Sequence, residues 1–308
     1  MHEPVKVLDV TPRDGLQNEP NPVSTEQKIA LIEKLVRAGV TAIQATSFVH
    51  PRWVPQMADA EAVAGALSRF PGVRFSALIP NQKGYERAVA AGFHDLELTM
   101  AASEAFSHKN LNHSLAAGFE MLGKVSRAAE RDKVTLRVGF AMSFHCHFEG
   151  TIPTAALVNV VRSARERGPW HIALADTDGM AFPNQISAAV NALQEQLGIA
   201  PGELALHVHD TYGRGLANVL AGLQAGIREF DTTTAGLGGC PFCPGASGNL
   251  ATEDLVALLD GMGYRTGIDM EKLLDAAEFA TALSSRPYQA HILRAQRPAA
   301  CELPRQVS

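Results

Sequence analysis

Two histidines with one residue between them, His207 and His209, are the first side chains in this sequence whose type and spacing could do chemistry. On a β-strand, residues i and i+2 point to the same face, so both imidazoles would reach one space and, when neutral, could share one metal ion. An isolated His-x-His pair is more often two packed or surface histidines, and its position in the fold decides between the readings. Arg13-Asp14 offers a carboxylate for the same ion and, beside it, a fixed cation where an enolate could develop. Taken alone, it reads equally as a surface ion pair or a turn. Asn249 adds an amide oxygen, or else caps a helix beginning near Ala251, a common role for asparagine. Cys240, in Gly238-Gly239-Cys240-Pro241, is either a small buried residue or an acid/base on a loop over the site. Two imidazoles with oxygen donors suit Mg2+, Mn2+ or Zn2+, and residue types do not choose among them.

The elements that must position these residues alternate along the whole chain. Strands are predicted at Val5–Val10, Val40–Thr46, Val73–Ile79, Asp95–Thr99, Val134–Ala141, His171–Ala175, Leu204–His209 and Phe230–Thr234. Amphipathic helical stretches lie between them, including Thr25–Ala38, Tyr85–Ala91, Leu115–Glu130 and Pro183–Leu197. Ser24 with Gln27 matches a capping box, and Gly39, Gly92 and Gly226 stand where a helix stops and a strand begins. No strand is followed by GxGxxG, so a dinucleotide-binding open sheet has no support. Eight β/α units in one chain point to an α/β fold, a (β/α)8 TIM barrel. We expect one catalytic domain over residues 1–308, with the barrel at about 1–263 and a C-terminal extension and tail at 264–308 that includes a helix at Met270–Leu283.

In such a barrel, functional groups gather at the C-terminal ends of the strands. Arg13-Asp14 follows strand one, Asp176-Thr177-Asp178 follows strand six, His207 and His209 end strand seven, and the Gly-rich segment with Cys240 and Asn249 follows strand eight. The candidates therefore meet at one mouth, which favours the metal reading of the histidine pair.

Composition removes several other classes. Hydrophobic residues make up 46% and charged residues 19% of 308, a globular balance, and a net charge of −5 leaves no basic footprint for nucleic acid. No apolar run reaches the ~18 residues of a membrane span. The first residues lack the basic and apolar regions of a secretory signal. Four cysteines (Cys146, Cys240, Cys243, Cys301) do not read as a disulfide framework, and a cytoplasmic setting is expected.

Several segments together resemble the 3-hydroxy-3-methylglutaryl-CoA lyase family of the DRE-TIM metallolyase superfamily. They are Pro12–Glu19, Thr46–Val49 with Trp53–Asp59, Ala101–Glu104, His207–Gly213, and Ala235–Pro241 running on to Gly245–Asp254. The resemblance implies Asp14, His207, His209 and Asn249 as metal ligands, Arg13 as the enolate-stabilising arginine, Cys240 as a catalytic loop cysteine and Asp176 as an essential aspartate. Arg13, Gln17, Gln44 and Thr177 are expected as substrate contacts, and His207 among the catalytic groups. The resemblance also implies a homodimer, an acyl-CoA substrate, Mg2+ or Mn2+ as the metal, and retro-Claisen cleavage to acetyl-CoA and acetoacetate.

The sequence departs from that family at several strand ends. Gln44 stands where the lyases usually carry a glutamate, and an amide cannot ionise. Thr11 replaces a usual glycine, Met142–His147 replaces smaller residues, and Asp178 replaces an aliphatic residue. These changes leave two readings, drift within a working lyase or a paralogue acting on another 3-hydroxy-acyl-CoA or hydroxy acid. A Claisen synthase shares the Arg-Asp and His-x-His elements but usually carries a longer C-terminal region. His145-Cys146-His147 raises a second metal site, against which nothing else pairs at ligand spacing. Cys301 resembles a tail cysteine that some family members use in thiol control; an inert surface thiol is the simpler reading.

Overall fold

A computed structural model describes residues 3–168, 171–239, 248–285 and 290–298. Eight parallel strands close into a barrel: β1 Lys6–Asp9, β2 Ala42–Ser47, β3 Arg74–Ile79, β4 Asp95–Ala101, β5 Thr135–Ala141, β6 His171–Asp176, β7 Leu204–Val208 and β8 Glu229–Thr232. Their spatial order follows the chain, and β1 closes the ring by pairing with β2 (Leu8 with Ala42) and with β8 (Leu8 with Asp231). All eight expected strands are present, with bounds differing from expectation by one or two residues. His209, expected inside the seventh strand, lies just past β7 in an isolated bridge to Asn249.

Helices α1 Thr25–Arg37, α2 Ala60–Ala66, α3 Gln82–Ala90, α4 Leu115–Asp132, α5 Thr154–Arg165, α6 Pro183–Leu197, α7 Gly215–Gln224 and α8 Thr252–Gly261 ring the barrel, one after each strand. The capping box forms at α1, where the Gln27 amide donates to Ser24 Oγ and the Ser24 amide to Gln27 Oε1. α3 begins earlier than its apolar pattern suggests, because the Asn81 side chain caps it by accepting from the Gly84 amide at 3.0 Å. The extension supplies α9 Met270–Leu283, as expected, and α10 His291–Gln296. Among the described residues, no helix is long and apolar enough to cross a membrane.

The core lies between the barrel and its helices. Leu31, Ile32 and Leu35 of α1 are fully buried, as are Ile43 and Ala45 of β2. Period-two alternation sends Gln44 to the opposite face from Ile43 and Ala45, into the barrel. The interior is accordingly polar at several levels: Asp9, Gln44, Glu97, Arg137 and Asp231 are all buried on strands. Contacts between non-adjacent strands, Gln44 (β2) to Glu97 (β4) and Arg137 (β5) to Asp231 (β8), show that these side chains meet inside the ring.

Candidate active site

Strand β1 runs into a π-helical turn, Thr11–Gly15, in which the amides of Arg13, Asp14 and Gly15 all donate to the Val10 carbonyl, at 3.2, 2.7 and 3.3 Å. Single π turns are rare and concentrate at functional sites. This one buries Arg13 and Asp14 side by side, paired Nη1 to Oδ1. Gln17, one turn further, donates to Asp14 Oδ1 at 3.2 Å.

Across the mouth, His207 Nε2 and His209 Nε2 lie 3.2 Å apart, and His207 Nε2 is 3.9 Å from Asp14 Oδ2. One ligand atom from each of Asp14, His207 and His209 falls within 4.8 Å of the other two. Two imidazole nitrogens this close, both facing one carboxylate, are stable only with a proton or a cation between them. Burial and then the neighbouring His207 hold the His209 pKa down, at about 3, which keeps the ring in its neutral, ligating form. At Asp14, burial works to raise the pKa, but Arg13 and the two histidines outweigh it and hold the carboxyl below its ordinary value, as an anion. His207 Nδ1 faces Asp231 Oδ2 at 3.5 Å, the carboxylate–imidazole pairing that orients a metal-binding ring.

Asn249 completes the group. Its Nδ2 donates to Asp14 Oδ2 at 2.7 Å and to the Leu237 carbonyl at 3.1 Å. Its Oδ1 is buried with no hydrogen-bond partner among the described residues. The alternative role as a helix cap is not realised: α8 starts at Thr252 behind Ala251, with no side-chain cap. Backbone stitching fixes Asn249, since the Asp210 amide donates to the Gly248 carbonyl and the Leu250 amide to the Val208 carbonyl, both at 3.1 Å. A side chain at Gly238 (φ +112°) would stand 2.6 Å from Asn249 Nδ2, so only glycine fits there. A buried, unpartnered amide oxygen beside one carboxylate and two facing imidazoles is the donor set a divalent cation completes.

Asp176 ends β6. Its Oδ1 accepts from the Ala181 amide at 3.0 Å and its Oδ2 from Asn218 at 3.5 Å. Burial pushes its pKa up, to about 7. Thr177 Oγ1 accepts from the Met142 amide at 3.1 Å, tying the loops after β5 and β6 together. Gln44, fully buried, accepts from Arg13 Nε. Cys240, Cys243 and Cys301 lie outside the described residues.

The HMGL-like family profile matches residues 4–280. The chain belongs to the HMGL-like family. It is 44% identical over 291 residues to the mitochondrial hydroxymethylglutaryl-CoA lyase of Macaca fascicularis, covering 94% of this chain and 89% of that one. It superposes on the HMG-CoA lyase of Bacillus subtilis with a TM-score of 0.91 at 39% identity, over 95% of this chain and 98% of that chain. An HMG-CoA lyase of Acinetobacter baumannii, solved with coenzyme A and 3-methylmalate, gives a TM-score of 0.90 at 38% identity, over 96% and 95%.

Three of this HMGL-like chain's departures from the family pattern, Thr11, His145 and Asp178, have local partners. Thr11 Oγ1 accepts from the Thr234 amide at 2.7 Å, and the Thr11 amide donates to Asp9 Oδ1 at 2.9 Å. His145 Nδ1 lies 2.7 Å from Asp178 Oδ2, so two separate departures, on the loops after β5 and β6, form one pair. That pairing turns His145 to Asp178, and among the described residues it joins no metal-ligand cluster.

Residue types alone did not single out Asp231, Glu97, Arg137 or Glu253. The available signal was a charged residue at alternate positions of otherwise apolar strands, such as Leu96-Glu97-Leu98 and Leu136-Arg137-Val138. Glu253, fully buried in the first turn of α8, accepts from the Ala235 amide through both oxygens at 3.1 Å and so braces Ala235 at φ +63°. Burial raises its pKa from 4.5 to about 8. The folded state therefore holds this proton more tightly than the unfolded chain does. The resulting stability is complete below about 4.5 and is lost as pH rises through about 8. Glu253→Gln mimics the neutral acid, so its stability relative to the unmodified protein should rise by up to about 5 kcal/mol across that window. Thermal unfolding of both proteins at acid and alkaline pH checks this; parallel pH profiles would rule it out.

Proposed function

We propose that this HMGL-like chain is a divalent-metal-dependent carbon–carbon lyase that cleaves 3-hydroxy-3-methylglutaryl-CoA to acetyl-CoA and acetoacetate. One observation carries the reading: Asp14, His207, His209 and Asn249 converge at one barrel mouth directly beside the Arg13 guanidinium. The relatives named for this activity support it.

Asp14, His207, His209 and Asn249 would hold the cation; their two oxygen donors suit Mg2+ or Mn2+, and their two imidazoles leave Zn2+ as the alternative. A bound divalent cation acidifies and orients a substrate hydroxyl. The substrate's 3-hydroxyl loses its proton, the C2–C3 bond breaks as the C3 ketone forms, and the electron pair moves to the thioester as an enolate. Arg13, already oriented by Gln44 and Asp14, faces that developing charge. The acetyl carbon then takes a proton. We assign the two proton transfers to Asp176 and Cys240, with His207 serving the reaction as a metal ligand held by Asp231 and with Gln17, Gln44 and Thr177 lining the substrate side.

We read residues 1–308 as one catalytic domain that works as a cytoplasmic homodimer. The small number of cysteines supports the compartment.

Incubation with HMG-CoA and Mg2+ or Mn2+ should yield acetyl-CoA and acetoacetate in equal amounts at an ordinary enzymatic rate of ~1–10³ s⁻¹. EDTA should stop the reaction. Metal-replete protein that forms neither product overturns the substrate assignment. A second reading, cleavage of a related 3-hydroxy-acyl-CoA, is favoured by the His145–Asp178 pair, which places polar groups where the family carries small and aliphatic ones. It predicts faster turnover of another acyl chain than of HMG-CoA in the same assay.

A further inference from the structure

The family resemblance makes Gln44 the most consequential departure, because a neutral amide replaces an active-site carboxylate. The structure shows what stands behind it. Arginine only donates hydrogen bonds, so the oxygen of the Gln44 amide must face Arg13 Nε and its Nε2 must point the other way. There it donates to Glu97 Oε2 at 3.1 Å, across the barrel interior from β2 to β4. Glu97 Oε2 also lies 3.1 Å from Arg137 Nε on β5. Arg137 pairs in turn with Asp231, whose Oδ2 faces His207 Nδ1 at 3.5 Å. A buried polar chain thus runs from Arg13 at one end to a candidate metal ligand at the other.

The space for Glu97 is built in. Gly139 lies on β5, two residues beyond Glu97's register partner Arg137. A Cβ on Gly139 would stand 2.5 Å from Glu97 Oε1, so β5 omits a side chain where Glu97 needs room.

We infer that Glu97 is a positioning residue for Arg13, acting through the Gln44 amide, so that the carboxylate related lyases carry on strand two is supplied here from strand four. This rests on the lyase reading for its kinetic test but not for its structural one. The relocation also changes what restoring the family residue would do. If the chain has drifted toward another substrate, restoring the family glutamate by Gln44→Glu would be expected to raise HMG-CoA cleavage. In this structure it would set two carboxylates against each other where an amide now donates to a carboxylate, and the rate should fall.

Three variants test the inference. Glu97→Gln should lower kcat by about 10²-fold, the scale expected when a reacting group is misplaced by about 1 Å, with KM changed far less. Gln44→Glu alone should also slow the enzyme. The double variant Gln44→Glu/Glu97→Gln moves the charge back to strand two while keeping the number of buried carboxylates. It should recover kcat to within a few-fold of the unmodified protein, a rescue that a merely structural role for Glu97 would not produce. Full activity in Glu97→Gln, or a folded double variant no faster than either single, overturns the inference. If Glu97→Gln does not fold, the double variant decides alone. If the unmodified protein does not cleave HMG-CoA, the functional reading fails while this one stays testable: in a crystal structure of Glu97→Gln or of Gln44→Glu, Arg13 should leave its present position, and an unmoved Arg13 overturns the inference.

Discussion

Asp14→Asn should weaken Mn2+ binding by more than about 10²-fold, since altering even the groups that only orient metal ligands costs ~10–100-fold. Asparagine keeps the shape of the side chain and removes its charge. Asp14 is where four groups meet: Arg13 and Gln17 on Oδ1, Asn249 and the His207 ring toward Oδ2. Arg13 and its two imidazole neighbours hold it as an anion in spite of burial. Without that charge, Arg13 keeps its buried guanidinium but loses its ion pair, and the histidines lose the carboxylate they face. Lyase activity at moderate metal concentration should fall in parallel and recover partly at high Mn2+. Metal titration of both proteins is the check, and an unchanged affinity would remove Asp14 from the metal site. Asn249→Ala should weaken binding less, because it removes a neutral donor.

Arg13→Lys should do the converse, cutting kcat by about 10²–10³-fold, the range for losing one preorganised donor to a developing oxyanion, while leaving metal affinity within a few-fold. The guanidinium commits Nε to Gln44 and Nη1 to Asp14. Nη2 makes no hydrogen bond among the described residues, and in the proposed reaction it would face the substrate oxygen. Lysine carries a single ammonium on a flexible stem and cannot hold that fork geometry. It would keep the charge and lose the aim. Kinetics at saturating metal separate the two variants: Asp14→Asn is limited by metal and Arg13→Lys is not. An Arg13→Lys enzyme with normal kcat would show that charge without direction is enough, and would remove the basis for a Glu97 positioning role.

These two predictions rest on residues that the sequence singled out by type and strand position. Glu97 and Arg137, the groups behind Gln44, do not stand out in that way. They look in sequence like stray charges in apolar runs, and nothing in their spacing says that they meet. Gln44 could be seen to have lost a charge, but its compensation comes from β4, two strands away around a closed ring. The Asn249 ambiguity was of the same kind. An asparagine close before a helix is a candidate cap, and only the backbone pairing of residues 248–250 with the end of β7 and Asp210 turns its amide toward Asp14. His145 and Asp178, noted separately as departures, become one pair only when the loops after β5 and β6 lie side by side.

The amino-acid sequence by itself determined the barrel, its eight strands, the end of the barrel where chemistry sits, and the Asp14, His207 and His209 set. Local rules suffice for these: period-two and helical periodicity, caps, and the convergence of strand ends at one mouth. Only the tertiary structure decided which polar groups share a hydrogen bond inside the ring, how the π turn after β1 aims Arg13, and where the carboxylate behind Gln44 comes from. The physical reason is that closure of the sheet brings β1 against β8 and lets β2 reach β4 and β5 reach β8 across the interior, over separations of 53 and 94 residues. No local propensity carries information over such distances; it resides in which side chains the closed barrel forces to satisfy one another's buried charges and hydrogen bonds.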